Sequence, residues 1–194
     1  MRHLTLNVIH DEHRALWAML HSMTQLLQQA TQQQRTPDFD VLRAMLLYVD
    51  EFPERLHHAK ESELLFPLLR QRAPELGPVL DRLDREHAQG EKAIRGLEHA
   101  LLAYEVMGPT RRGAFEQALA QYTAFYLAHM QTEENEVLPS ASKVFTPEDW
   151  AQLDAAFGSH RDPLTGFEPS DEYKALFSKI VLTAPAPIGL GDAR

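Results

Sequence analysis

The sequence contains no cysteine. That single absence excludes disulfides, thiolate nucleophiles and the Cys-rich zinc and iron–sulfur sites. The fold therefore has no dependence on an oxidising compartment. No apolar run approaches the roughly 18 residues of a membrane-spanning helix. Residues 1–20 hold no signal-peptide core either, because His10, Asp11, Glu12, His13 and Arg14 fall inside them. The expectation is a cytoplasmic protein without a membrane partner. Basic clusters are also missing. The short runs at Arg70–Arg72 and Arg111–Arg112 read as solvated helix ends, and the net charge of −9 repels phosphate backbones, so nucleic acid is not an expected partner. Val-rich alternation is absent as well, which argues against a sheet.

What is present is helical periodicity. Val8, Leu16, Leu20, Met23 and Leu27 mark one face of a first helix from Leu6 to about Gln34. A second runs from Phe39 to about Arg72 and contains Pro53, which should kink it or end one piece of it. A third spans Val79 to Met107 and a fourth Ala114 to Ala141, separated by "APELGP" and "GPTRRG". Short connections favour antiparallel neighbours, so the pattern predicts an all-α, up-down-up-down four-helix bundle over residues 1–145. Residues 146–194 read as a C-terminal extension. Thr146 caps a short helix that ends near Gly158, residues 171–182 form another, and the tail from Thr183 onward is mobile.

Ten histidines are the one unusual count, and four of them sit in repeated phrases. "HHAKESELLFP" begins at His57 and "HMQTEENEVLP" at His129. Each places a glutamate four positions after a histidine, and a proline six positions after that glutamate. Residues i and i+4 share a helix face, so His57–Glu61 and His129–Glu133 are two chelating pairs. A second echo, Glu-His at Glu12–His13 and Glu86–His87, adds one histidine from each of the first and third helices. The chain reads as two similar helix–loop–helix halves. Together they offer four imidazoles and two carboxylates, a set suited to iron, manganese or zinc. Two carboxylates among four histidines suit two metals, with the glutamates able to bridge. A pair of irons can share an oxo or hydroxo bridge, and six protein donors plus one bridge leave a coordination position open.

This order of residues resembles the hemerythrin-like family, in particular proteins with the hemerythrin/HHE cation-binding domain. The resemblance covers roughly residues 4–142. It rests on His13 in "EHR", His57 and Glu61 in "HHAKE", His87 in "EH", and His129 and Glu133 in "HMQTEE". It implies a histidine-rich site for two iron ions. The oxygen-carrying hemerythrins have a second histidine where this sequence has Glu91, and an aspartate five positions after the fourth-helix histidine where this sequence has Glu133 at four. Reversible oxygen carriage is therefore not implied. The HHE branch implies binding or sensing of O2, NO or peroxide. One alternative is an enzyme acting on peroxide, or an iron donor for damaged iron centres; another is a zinc-bearing or metal-free structural bundle.

Glu91 and His58 are two further candidate donors, one turn after His87 and three residues before Glu61. Glu54 precedes His57 at the spacing ferritin-like di-iron proteins use, but Tyr126 occupies the equivalent position before His129. Asp11, Glu12 and Glu86 lie about 100° around the helix from their ligand neighbours, so they are candidates for contacts between helices. Glu63 and Glu134 are off the i,i+4 register and are expected to be dispensable for metal. His10 and His21 read as rim or packing residues, and His3, His99 and His160 have no partner pattern. Trp17 and the tyrosines read as bundle lining.

Overall fold

The computed structural model describes residues 3–159, 161–186 and 188–190. His160, Pro187 and residues 191–194 of the expected mobile tail lie outside the described residues. No strand is present among the described residues, and none of their helices is long and apolar enough to cross a membrane.

Helix α1 spans Leu4–Gln32. It ends in a Schellman-type turn. Arg35 N–H donates to Ala30 O, Gln34 N–H donates to Thr31 O, and Gln34 takes the left-handed conformation at φ 51°. Asp38 then accepts from Val41 N–H and starts α2, Phe39–Val49. This second rod continues without a break through Asp50–His57, α3 (His58–Lys60), Glu61–Leu65 and α4 (Phe66–Arg72). The two unlabelled stretches are wide, π-helical turns. The sequence expectation is a kink or the end of one piece at Pro53; α2 ends at Val49 and Pro53 falls inside the first wide stretch, which carries the winding on. Proline has no N–H for the α ladder, and an i→i+5 turn absorbs the missing bond while the chain keeps winding.

Helix α5 spans Gly77–Met107, and the fourth rod is α6 (Arg112–Thr132), a wide turn at Glu133–Val137, and α7 (Leu138–Val144). The repeated phrase therefore has a conformational meaning. A wide turn begins at Glu61 and at Glu133, and the following proline, Pro67 or Pro139, lies in the first turn of the next α segment.

The rods touch end to end. Arg112 at the start of α6 donates to Leu27 O near the end of α1 at 2.8 Å. The Phe39 ring meets Tyr104 at 5.0 Å, while Arg70 pairs with Asp81 at 2.6 Å. Helix α8 (Pro147–Gly158) opens with a capping box between Thr146 and Asp149 and packs on α1; α9 (Lys174–Thr183) packs on α2.

Apolar side chains form two separate cores. One joins Leu16, Met19, Met23, Met45, Ile94, Phe115 and their neighbours with Phe177 and Ile180 of α9. The other joins Val8, Ile9, Phe66, Leu83 and Val137 with Trp150 and Phe157 of α8. Between them each rod contributes buried polar groups: Glu12 and His13, then Glu54, His57, His58 and Glu61, then His87, then His129 and Glu133. A buried polar layer between two apolar cores is costly unless its groups find partners.

Candidate metal centre

All six residues singled out from the two echoes, His13, His57, Glu61, His87, His129 and Glu133, are buried and converge on this layer. Donor atoms of His13, His57, Glu61 and Glu133 lie within 4.8 Å of one another, and so do those of Glu61, His87, His129 and Glu133. The two groups share both glutamates. Glu133 Oε2 is 3.2 Å from His13 Nε2, and its Oε1 is 3.2 Å from His129 Nε2. Glu61 Oε2 is 3.3 Å from His57 Nε2 and 3.6 Å from His87 Nε2. Each carboxylate thus reaches a histidine of both groups.

These close approaches are not hydrogen bonds. His13 Nε2, His57 Nε2 and all four carboxylate oxygens of Glu61 and Glu133 are buried without a hydrogen-bond partner. Buried polar atoms are almost always paired, so six orphans facing one point call for an absent partner. The nitrogens His87 Nε2 and His129 Nε2 face each other at 3.0 Å.

The outer nitrogen of every ring is engaged. His57 Nδ1 lies 2.7 Å from Glu12, His129 Nδ1 2.8 Å from Glu86, His13 Nδ1 2.9 Å from Glu134, and His87 Nδ1 2.8 Å from Ser62 Oγ. Ser62 gives its only hydrogen to Asp84 at 2.7 Å, so it accepts from His87. Carboxylates likewise accept. In its neutral form each ring therefore carries its proton outward on Nδ1 and turns an Nε2 lone pair inward, the tautomer a metal requires. Glu12 and Glu86 do make contacts between helices, as their phase predicts, and those contacts are to His57 and His129 of this layer. Glu134 corrects the sequence reading: it is not a bystander but the partner of His13. Ser62 and Glu134, each directly after a core glutamate, occupy matching places in the two halves; "ES" and "EE" hide that match.

Electrostatics divide the rings. Burial disfavours charge on His57, but Glu61 and Glu12 outweigh it and hold its pKa well above the ordinary histidine value. His13 is raised in the same way against its burial by Glu133 and Glu134, and His129 reaches about 9 against its burial through Glu133 and Glu86. His87 and His58 are instead pushed down by burial and by neighbouring histidines. Burial and the facing Glu133 push Glu61 up, whereas His129 and His13 hold Glu133 down despite its burial.

The two additional candidates separate. Glu91 is exposed and is removed from the candidate set. The α5 turn after His87 points Gly90 inward, not Glu91, and a Cβ at Gly90 would lie 1.7 Å from Tyr126 Oη. His58 is buried and its ring stacks on His87 at 4.1 Å. His57 closes the first wide stretch and His58 opens α3, and both side chains are buried at this layer. His10 sits on the rim 3.4 Å from Glu134, and His3 stacks on Trp150. Trp17 is exposed and stacks on His21, so it does not line the bundle. His99 is exposed.

One unforeseen group comes from the C-terminal extension. Asp162 is buried, accepts from Tyr48, and its N–H donates to Glu12 Oε1 at 3.4 Å. Burial raises its pKa to about 6. It closes one side of a cavity of about 10 Å³ that adjoins His13, His57 and His58, with Phe52, Leu56 and Met130 on its walls. That volume is on the scale of a single water.

A family model described as Hemerythrin HHE cation binding domain matches residues 4–141. No curated protein and no solved structure matches the chain.

Proposed function

We propose that this chain, which belongs to the hemerythrin HHE cation-binding domain family, is a non-haem di-iron protein that binds or senses O2, NO or peroxide. The observation that carries this reading is the set of six partnerless buried atoms of His13, His57, Glu61 and Glu133, with each glutamate reaching both histidine pairs. One ion would be held by His13 and His57, the other by His87 and His129, and Glu61 and Glu133 would be shared. Imidazole and carboxylate suit iron, and also manganese or zinc. Bound iron would supply reversible one-electron chemistry and an open position for a small ligand.

The protein's own residues do the rest. Glu12, Glu86, Glu134 and Ser62 hold the Nδ1 protons and thereby the ring orientations. The two apolar cores exclude bulk water from above and below. The cavity beside His13 and His57 admits only a body of about water size. We read the rods as an up-down-up-down bundle over residues 1–145, supported by the end-to-end contacts, with residues 146–194 as an extension that contributes Asp162 to the site.

The test is metal analysis of anaerobically purified protein, followed by O2 and NO titration read by absorbance. Two irons per chain and a ligand-dependent near-ultraviolet charge-transfer band are expected. One tightly held zinc, or no metal, would sink the reading.

A further inference from the structure

A second cavity lies away from the metal layer, between the second rod and residues 161–173 of the C-terminal extension. Its volume is about 440 Å³, within the range of sites for small organic molecules. Phe52 and Leu56 of the rod and Phe167 and Tyr173 of the extension form its apolar walls. Phe52 and Tyr173 meet edge to face at 5.0 Å, and Phe167 is exposed.

The extension is anchored beside this cavity by Asp162. That residue is buried and accepts from Tyr48 and, at 2.8 Å, from Leu164 N–H, while its backbone oxygen accepts from Thr165 Oγ1 at 2.7 Å. Gly166 then takes the left-handed conformation at φ 96°, open to a residue without a Cβ. The chain turns there, and the Phe167 ring centre comes to 3.8 Å from the Arg161 guanidinium carbon.

Three charged side chains line the cavity, and they differ in how well they are paired. Glu51 accepts from Tyr173 Oη at 2.8 Å and from Arg55 at 3.0 Å. Glu168 faces Lys174 at 3.7 Å. Arg161 pairs with Asp11 at 3.8 Å, beyond hydrogen-bond distance, and Asp11 is already engaged by Arg14. The Nε of Arg161 is buried without a hydrogen-bond partner, although buried donors are almost always paired. A guanidinium with five N–H donors is thus left short of acceptors at the wall of an aromatic cavity.

We propose that this cavity binds a small aromatic monocarboxylate, with its ring against Phe52, Phe167 and Tyr173 and its carboxylate on Arg161. A carboxylate matches the guanidinium fork and can take two parallel hydrogen bonds. One under-used cation calls for one negative charge, and Glu51 and Glu168 on the same walls repel a more highly charged anion. A flat ring gains edge and face contacts from the aromatic walls. The cavity of about 10 Å³ at the metal layer is too small for such a molecule. The proposal does not rest on the two-metal reading.

The experiment is calorimetric titration of the full chain, as purified, with indole-3-acetate. The comparison ligands are tryptophol (the same ring without the charge), acetate (the charge without the ring) and inorganic phosphate. Indole-3-acetate should bind once per chain, and the other three should bind more weakly by roughly tenfold or more. Arg161→Gln and Phe167→Ala should each weaken indole-3-acetate by a similar factor, and in Arg161→Gln the two indoles should bind alike. If Arg161→Gln does not fold, the comparison of the four ligands on the wild type decides. No binding of indole-3-acetate by the wild type overturns the proposal. Equal binding of tryptophol, acetate or phosphate also overturns it, because recognition would then lack either the charge or the ring. Unchanged affinity in Arg161→Gln would put the carboxylate elsewhere, the metal layer included, and would overturn the site while leaving the two-metal reading intact.

Discussion

Glu12 on α1 accepts from His57 Nδ1 on the neighbouring rod at 2.7 Å, not from His13 beside it in the chain. Glu86 repeats the relationship with His129 at 2.8 Å. Each Glu-His dipeptide thus contributes one residue to the metal layer directly and the other through a neighbour's ring, so the rods depend on one another for ligand orientation.

Removing these acceptors should weaken metal binding without removing a ligand. For Glu12→Ala and Glu86→Ala we expect a loss of metal affinity of roughly 10–100-fold each, measured by competition with a chelator. Because the two residues occupy equivalent places, their effects should be similar. An unchanged affinity in both variants would mean that the rings are oriented by packing alone.

Glu61→Ala and Glu133→Ala should be more severe and equal to each other. Each carboxylate reaches both histidine pairs, so each loss should reduce total metal and abolish the charge-transfer absorbance. Exposed Glu63 is the control and should be silent as Glu63→Ala. Glu134→Ala should fall between, since Glu134 holds His13 from a partly exposed position. Metal per chain and absorbance read the series; if Glu63→Ala loses as much metal as Glu61→Ala, the pairing of ligands is misread.

Acid should compete with metal. In the metal-free site His129 has a pKa of about 9, and His13 and His57 are also raised. At neutral pH the His129 ring carries a proton that a metal must displace, and the raised His13 and His57 hold theirs to higher pH than a free histidine does. Calorimetric titration at pH 7 in buffers of different ionisation enthalpy should therefore show proton release, and affinity should rise with pH toward 9. The metal-free fold should behave oppositely. A raised histidine stabilises fully below its unfolded pKa of about 6.5 and loses that contribution as pH climbs through the folded value. His58 and His87, lowered, are neutral in both states above that range. Chelator-treated protein should thus lose resistance to urea between pH 7 and pH 9.5. A gain over that interval would contradict the charge assignment.

Gly90→Ala inverts the usual rule for helices. Replacing an interior glycine by alanine ordinarily stabilises a helix by about 1 kcal/mol. Here the added Cβ meets Tyr126 Oη and Glu54 Oε2, and overpacking of about 1–3 kcal/mol is expected instead. Thermal melts of the metal-free variant should show the loss, and Tyr126→Phe in the same chain should recover part of it. Full stability in the single variant would show that Tyr126 can move aside freely.

Several features of the site were legible in the order of residues because they are local. His57–Glu61 and His129–Glu133 meet by the four-residue geometry of any helix, and the Glu-His echo shows that the pattern belongs to a chain built in two halves. The periodic apolar residues and short breaks likewise mark the long helical segments. What only the tertiary structure decided depends on helix phase and on distant neighbours. Glu91 and Gly90 differ by one residue, and the phase of α5 in the packed bundle turns Gly90 inward against Tyr126 and leaves Glu91 exposed. His58 is buried beside His57 and stacks on His87, a contact that depends on α5 packing against this rod. Glu134 and Ser62 look like ordinary surface residues until α1 and α5 bring histidines to them. Asp162 reaches Glu12 from an extension 150 positions away. A local motif can specify which side chains share a face, but the protons on their outer nitrogens are held by groups that only packing brings within hydrogen-bond distance.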